Sequence, residues 1–438
     1  MDDVATSVPH LESRPTYVRH LVLGALCLIT TINYIQRNSL GGAETTVRAD
    51  LHLTRNDTGD AMGAFFLAYA LCQVPSGWLA QRWGGRLALT VYAAGWSIMM
   101  GLSAAATNLP SLVTARGAMG ALQAGIFPCC TMILASWYPA TRRGFTSAVL
   151  NSFMLIGGVI ASWVTAKLIG PLGWRWLFLL YAMPGAAWAV WFALWFRNRP
   201  QEHPSVNPAE LAIITFDSEP RRASVSGNVP WLAIFLSSAL WLICIQQFCR
   251  AGALRFFDMW LPTYLQEARG QSVESANYLT GLPLIAGVIG GPIGGILSDF
   301  VLARTGSRRA ARQGVAIGSV LVGLLIYGLA YQVGDMFGAV VLASIGVFVM
   351  TFSSPCAYAL TMDMGGRNLG VIFATMNMAG NLGSWAFTQF IPRVVEWRGW
   401  DRALLVFAAM HVVAIACWLM LNPNGIIGES ADAPDSKE

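Results

Sequence analysis

Gly77-Trp78-Leu79-Ala80-Gln81-Arg82-Trp83-Gly84-Gly85-Arg86 and Gly295-Ile296-Leu297-Ser298-Asp299, the second followed by Arg304, Arg308 and Arg309, are two versions of one pattern. Each starts on a glycine near the end of an apolar run and finishes in a basic loop. A signal that returns at corresponding places in the two parts of a chain indicates internal duplication. Outward from these loops, runs of about 20 mostly apolar residues follow one another, long enough at ~1.5 Å per residue to cross a hydrocarbon core of ~30 Å. They lie at 18–42, 59–80, 86–107, 110–133, 145–169, 174–196, 230–265, 276–300, 313–332, 336–358, 368–392 and 402–422.

Of 438 residues, 55% are hydrophobic and 12% charged, against roughly a quarter charged in soluble chains. Such a surplus belongs in lipid. The expected fold is therefore an all-α membrane protein of twelve transmembrane helices in two six-helix bundles. Its divisions are an N-terminal tail (1–17), a first bundle (18–196), a polar linker (197–229), a second bundle (230–422) and a C-terminal tail (423–438). The linker holds Arg197, Arg199, Glu202, His203, Pro204, Pro208, Glu210, Asp217, Glu219, Pro220, Arg221 and Arg222.

Basic residues in the connections set orientation. One side collects sixteen, among them Arg14, Arg19, Arg82, Arg86, Arg142, Arg143, Arg367 and Lys437; the other has seven, among them Arg48, Arg55, Arg175 and Arg269. Both termini and the linker are expected in the cytoplasm, in a plasma-membrane protein. The formal charge of +5 is read as topology, not as a nucleic-acid footprint. All eight cysteines fall in apolar runs without CxxC pairs or His partners, which suits packing better than a disulfide frame or a metal site. Residues 1–15 lack the basic-then-apolar pattern of a cleaved signal, so the first span is expected to stay. No cofactor is expected.

The loops resemble the Gly-x-x-x-Asp-Arg-x-Gly-Arg loop of the major facilitator superfamily, with Gly77, Arg82, Gly84, Arg86, Gly295 and Asp299 as its gating residues. Within it the chain resembles the anion:cation symporters, the group that includes sialic acid, galactonate and hexuronate transporters. The matching stretches include Asn33-Tyr34-Ile35-Gln36-Arg37, Tyr69 to Leu79, Arg116 to Pro128, Trp137-Tyr138-Pro139, Trp260 to Leu265 and Asn377 to Asn381. That resemblance implies a substrate cavity lined by Arg37, Tyr34, Tyr69, Arg116, Asn377 and Asn381. The family commonly has acids where this chain has Gln36, Gln123 and Gln81, which removes the usual proton-carrying carboxylates.

Charges inside lipid-spanning helices cost at least ~2.5–3.5 kcal/mol each, so each needs a partner or a wet cavity. Arg37 and Arg116 each lie ~10 Å inside the outer end of a span and share a depth. A planar guanidinium binds a carboxylate through two parallel hydrogen bonds, which suits an organic acid. Snorkelling is the alternative for Arg37, and a structural bond to helix carbonyls for Arg116. Gln123, two turns inward of Arg116, can bond a hydroxyl or carboxylate, or another helix. In the seventh span Gln246, Arg250 and Asp258 share an α-helical stripe, and Arg255 reaches Asp258 at three residues' separation. This group is either a self-neutralised cluster or the coupling site, with Asp258, Arg250 and Arg255 as candidates.

The set Arg37, Arg116, Arg250 and Arg255 against Asp258 attracts anions. The expected function is secondary transport of a small organic anion, a sugar acid or another carboxylate, by a monomer that alternates access in the bilayer, with protons or another ion as partner. Facilitated exchange without proton coupling and a non-transporting receptor on the same fold are the alternatives. An enzyme is disfavoured because no HExxH, GxSxG or paired-acid motif is present.

Overall fold

The computed structural model describes residues 14–215, 231–365 and 369–423, with 425 and 427. Asp217, Glu219, Pro220, Arg221, Arg222, Arg367, Lys437 and most of both tails lie outside the described residues, as does the side chain of Arg143. Among the described residues the fold is all-helical. Eight helical stretches are long and apolar enough to cross a membrane: Val18–Asp50, Arg55–Ala104, Leu109–Trp137, Val149–Trp195, Val273–Thr305, Arg309–Gln332, Met336–Gly365 and Trp400–Met420.

In chain order the helices are α1 (Val18–Asp50), α2 (Arg55–Ala104), α3 (Leu109–Gln123), α4 (Ile126–Trp137), α5 (Ala140–Trp195), α6 (Pro208–Thr215), α7 (Trp231–Leu236), α8 (Ser238–Arg255), α9 (Leu261–Glu267), α10 (Val273–Thr305), α11 (Val315–Gln332), α12 (Met336–Met350), α13 (Ser353–Gly365), α14 (Leu369–Arg398) and α15 (Trp400–Met420). Two of them are bent double-length elements. α2 leaves helical geometry at Gly84 (φ 78°) and α5 at Gly173 (φ 70°), a left-handed conformation that glycine adopts without a Cβ penalty. α8 and α14 carry polar residues inside their apolar runs, and a π-helical turn over Phe256–Trp260 joins α8 to α9.

The first repeated loop turns at Gly84, whose bend is held by Asn198: its Oδ1 accepts from the Arg86 backbone at 2.8 Å. Arg86 also donates through Nε to the carbonyl of Ala193 at 2.8 Å, and Arg82 lies 5.6 Å from the Trp78 ring centre. In the second copy Arg312 ties Asp299 (2.9 Å) to Asp363 (3.6 Å). A Cβ on Gly77 would touch Pro128 at 3.7 Å, and one on Gly295 would touch Pro355 at 3.6 Å. The two glycines thus meet equivalent prolines, one on α4 and one on α13.

His203 and Glu210 pack against α1, α4 and α5. Glu210 on α6 accepts from the backbone amides of Val18 (3.2 Å) and Arg19 (3.0 Å). A carboxylate there satisfies amides left open at a helix start and sits at the positive end of the dipole. His203 is packed edge-on between Trp137 and Trp195. All eight cysteines are free, and seven are buried.

Bonds joining the halves gather at the end where α1 finishes. Thr45 donates to Gln266 at 2.6 Å, Thr263 to Glu44 at 2.9 Å, Asn277 to the carbonyl of Gly42 at 3.0 Å and Arg393 to Asp60 at 2.9 Å. Glu267 takes both Arg48 and Arg55, and Glu44 holds Arg48 Nε at 2.9 Å. We call this the clasp.

Candidate functional site

The site grows from α1, whose middle carries Asn33, Tyr34, Gln36 and Arg37. Arg37 is 7% exposed, and four aromatic rings surround its guanidinium. Its Cζ stands 5.4 Å from the ring centre of Tyr34, 5.0 Å from Phe65, 4.9 Å from Phe66 and 5.1 Å from Tyr69. Ring faces attract a cation through their quadrupoles but leave its charge uncancelled. No carboxylate lies within ion-pair distance of Arg37 among the described residues, and its buried Nε has no protein acceptor. The faces of the group are covered while its hydrogen-bonding edge is unfilled.

Arg116, on α3, is 1% exposed. It donates through Nη2 to the carbonyl of Arg37 at 2.8 Å and through Nη1 to that of Gln36 at 3.3 Å. Those contacts correspond to the structural alternative, a bond to helix carbonyls. α3 also packs tightly against α2 at Gly120, where a Cβ would fall 2.1 Å from the Phe65 carbonyl oxygen.

Gln36 donates to the carbonyl of Tyr181 at 2.7 Å, tying α1 to α5. Gln123 is fully buried, and neither its Oε1 nor its Nε2 has a protein partner. Asn33 likewise has a buried, unfilled Nδ2. From the second half α14 supplies Asn377 and Asn381, and Asn381 turns back to donate to the carbonyl of Asn377 at 2.9 Å.

The charged groups of the seventh span divide between two sets of partners. Arg250 bonds Gln247 Oε1 at 2.8 Å, along with Ser354, and faces the Tyr358 ring at 5.9 Å, while Asp258 pairs with Arg255. The pairing of Arg255 with Asp258 is the one expected at three residues' separation, and Asp258 sits within the π turn. Arg255 faces Phe66 of the first half at 5.5 Å, the same ring that Arg37 faces.

Several site residues were missed by sequence reasoning. Phe65 and Phe66 sit in an apolar run with no signal to separate them from packing residues. Glu44 and Glu267 were treated as loop because the apolar runs stop at 42 and 265. One cavity of about 390 Å³ is lined mostly by apolar groups, Phe257, Tyr327, Leu404 and Phe407 among them, together with Arg269 and Asp401, and does not include Arg37. The candidate site is placed on the buried arginines, whose unfilled donors point to an acid.

The family model of the Major Facilitator Superfamily matches residues 26–388. A protein described as a probable sulfoacetate transporter of Cupriavidus necator is 30% identical over 96% of both chains. A probable galactarate/D-glucarate transporter of Bacillus subtilis is 29% identical over 96% of this chain and 94% of its own. A hexuronate transporter of the same organism is 28% identical over 92% and 96%. Among solved structures, a bacterial homologue of the lysosomal transporter Spinster superposes with a TM-score of 0.74 at 17% identity, covering 93% of this chain and 95% of that one. A D-xylose–proton symporter gives 0.68 at 15%, covering 95% and 100%. With its repeated glycine loops, its lipid-length helices and this match over most of its length, the chain is an integral membrane protein of the major facilitator superfamily, a transporter family and not an enzyme.

Proposed function

We propose that the protein is a secondary transporter of a small organic anion that works by alternating access. The observation that carries this reading is Arg37, buried inside an aromatic cage with no carboxylate in ion-pair distance among the described residues. A buried charge is stable only with a partner or water, and an anionic cargo supplies the partner. The relatives named for sulfoacetate, sugar diacids and hexuronates support an acidic cargo.

In this reading the bent helices at Gly84 and Gly173 each count as two spans. With the α8–α9 and α14 stretches they give twelve, six in residues 18–196 and six in 230–422. The termini and linker face the cytoplasm, so the clasp is outermost and closed, and the cargo leaves toward the linker side. Gln36 and Gln123 carry no titratable proton in the physiological range. Asp258 is then the acid available for coupling, because cargo that draws Arg255 away leaves its carboxylate free to take a proton.

The test is uptake into proteoliposomes from a panel of organic acids, with and without a pH gradient. Flux of at least one acid, stimulated by an inside-alkaline gradient and losing that stimulation in D258N, is the expected result. Saturable binding with no flux for any acid would mean a receptor. Flux indifferent to the gradient would mean an exchanger or facilitator.

A further inference from the structure

Arg37 and Arg255 come from opposite halves of the molecule and face one phenyl ring. Their Cζ atoms lie 4.9 and 5.5 Å from the centre of Phe66, so the two guanidinium groups stand no farther apart than those distances laid end to end. Three atoms around them are buried and unfilled: Arg37 Nε, Arg255 Nε and Asp258 Oδ1. Each arginine therefore keeps a donor for an acid group. Only one of the two has a resident carboxylate, Asp258 on Arg255.

We propose that the site selects a short dianion, a dicarboxylate or a sulfonated carboxylate with roughly one to four carbons between its acid groups, one acid on Arg37 and the other on Arg255. This rests on the anion-transport reading above and narrows it to a substrate class. The first acid docks on Arg37, whose edge is already open. The second acid competes with Asp258 for Arg255, and when it wins, Asp258 loses its ion pair with no bond made or broken beyond these contacts. A monoanion fills Arg37 and leaves Arg255 on Asp258. Only a dianion joins an arginine of the first half to one of the second, so the geometry ties recognition of the second acid to the approach of the halves. Phe66 is the one ring that both guanidinium groups face, so it fixes the reach the two acid groups must span.

The experiment compares binding of diacids and of their monoamides, matched in size but lacking one charge, to the purified full-length protein in nanodiscs. Succinate against succinamate, and sulfoacetate against its carboxamide, serve as the pairs. The wild type is expected to bind each diacid at least about tenfold more tightly than its monoamide. In R255Q that ratio is expected to collapse toward one. In D258N, where the competitor for Arg255 is gone, the ratio is expected to rise. A wild-type ratio near one, or a ratio unchanged in both variants, overturns the proposal. If R255Q fails to fold, the D258N ratio decides alone. Failure of the underlying anion reading looks different, since a site that takes no anion would bind no acid, single or double.

Discussion

Arg116 donates to the backbone carbonyl of Arg37 at 2.8 Å. One buried arginine thus holds in place the stretch of helix that carries the other, and the division of labour is physical. Arg116 directs its two Nη groups at peptide carbonyls, while Arg37 has four rings around it and makes no such bonds; the Nε of each is buried without a partner. Replacing Arg116 by Gln shortens the reach and strips the carbonyls of residues 36 and 37 of a second donor. Lost hydrogen bonds of this kind cost about 1–3 kcal/mol. R116Q is expected to lower the melting temperature as well as uptake, and a variant with normal stability and lost uptake would instead place Arg116 on the cargo.

Arg37→Lys keeps the charge but replaces a planar fork by a point charge. It also gives up stacking on four rings at once. Uptake is expected to fall by tenfold or more with little change in melting temperature. Near-normal transport in R37K would remove the fork from the mechanism.

At the clasp, Glu267 joins Arg48 and Arg55 of the first half. Glu267→Gln removes the only carboxylate shared by those two arginines among the described residues, leaving like charges side by side. The halves are then expected to part more often at that end. In a background without the native cysteines, a cysteine at Thr45 should react with an impermeant thiol reagent several-fold faster in E267Q than in the parent. Equal rates would show that the clasp does not control access.

Two glycines offer a contrast between moving and folding. A Cβ at Gly41 would fall 2.6 Å from the carbonyl oxygen of Asp258 across the half boundary. G41A is expected to fold normally, label readily at the clasp and transport poorly. A Cβ at Gly383 would fall 2.0 Å from the carbonyl oxygen of Phe248, where α8 and α14 cross within the second half. Overpacking there costs about 1–3 kcal/mol, so G383A is expected to melt earlier. Reversed outcomes would mean that α1 and the π turn do not separate during transport.

Outside the membrane, burial of His203 and the nearby Arg197 hold its pKa below the ordinary value of 6.5, against a smaller opposing pull from Glu210. A depressed value means that the folded protein binds fewer protons than the unfolded chain, so stability is full above pH 6.5 and declines below it. His203→Gln is expected to flatten that decline in melting temperature between pH 7 and pH 5. An unchanged slope would assign it to other groups.

The lipid-length helices and the duplicated loops were legible because apolar length and glycine-arginine spacing report directly on spans and turns. Arg37 was legible for a related reason: a charge inside an apolar run has few cheap explanations. Its cage was not, since Phe65 and Phe66 look like any lipid-facing aromatics until α1 and α2 are side by side. Glu44 escaped because helix α1 continues to Asp50 after its apolar character ends, and apolarity had been used as the ruler. The Arg255–Asp258 pair was legible from its three-residue spacing, whereas the π turn that carries Asp258 is announced by no residue type. The bonds of Arg116 go to carbonyls, and backbone acceptors leave no mark in a sequence.

The clasp has one more consequence. Its charged groups are partly exposed, with Arg48 and Glu267 at 24% and 20%, so dissolved ions reach them. At physiological ionic strength attraction between exposed charges fades within ~8 Å, and in dilute water it extends several times further. How firmly this door is latched thus depends on the salinity of the fluid that bathes it.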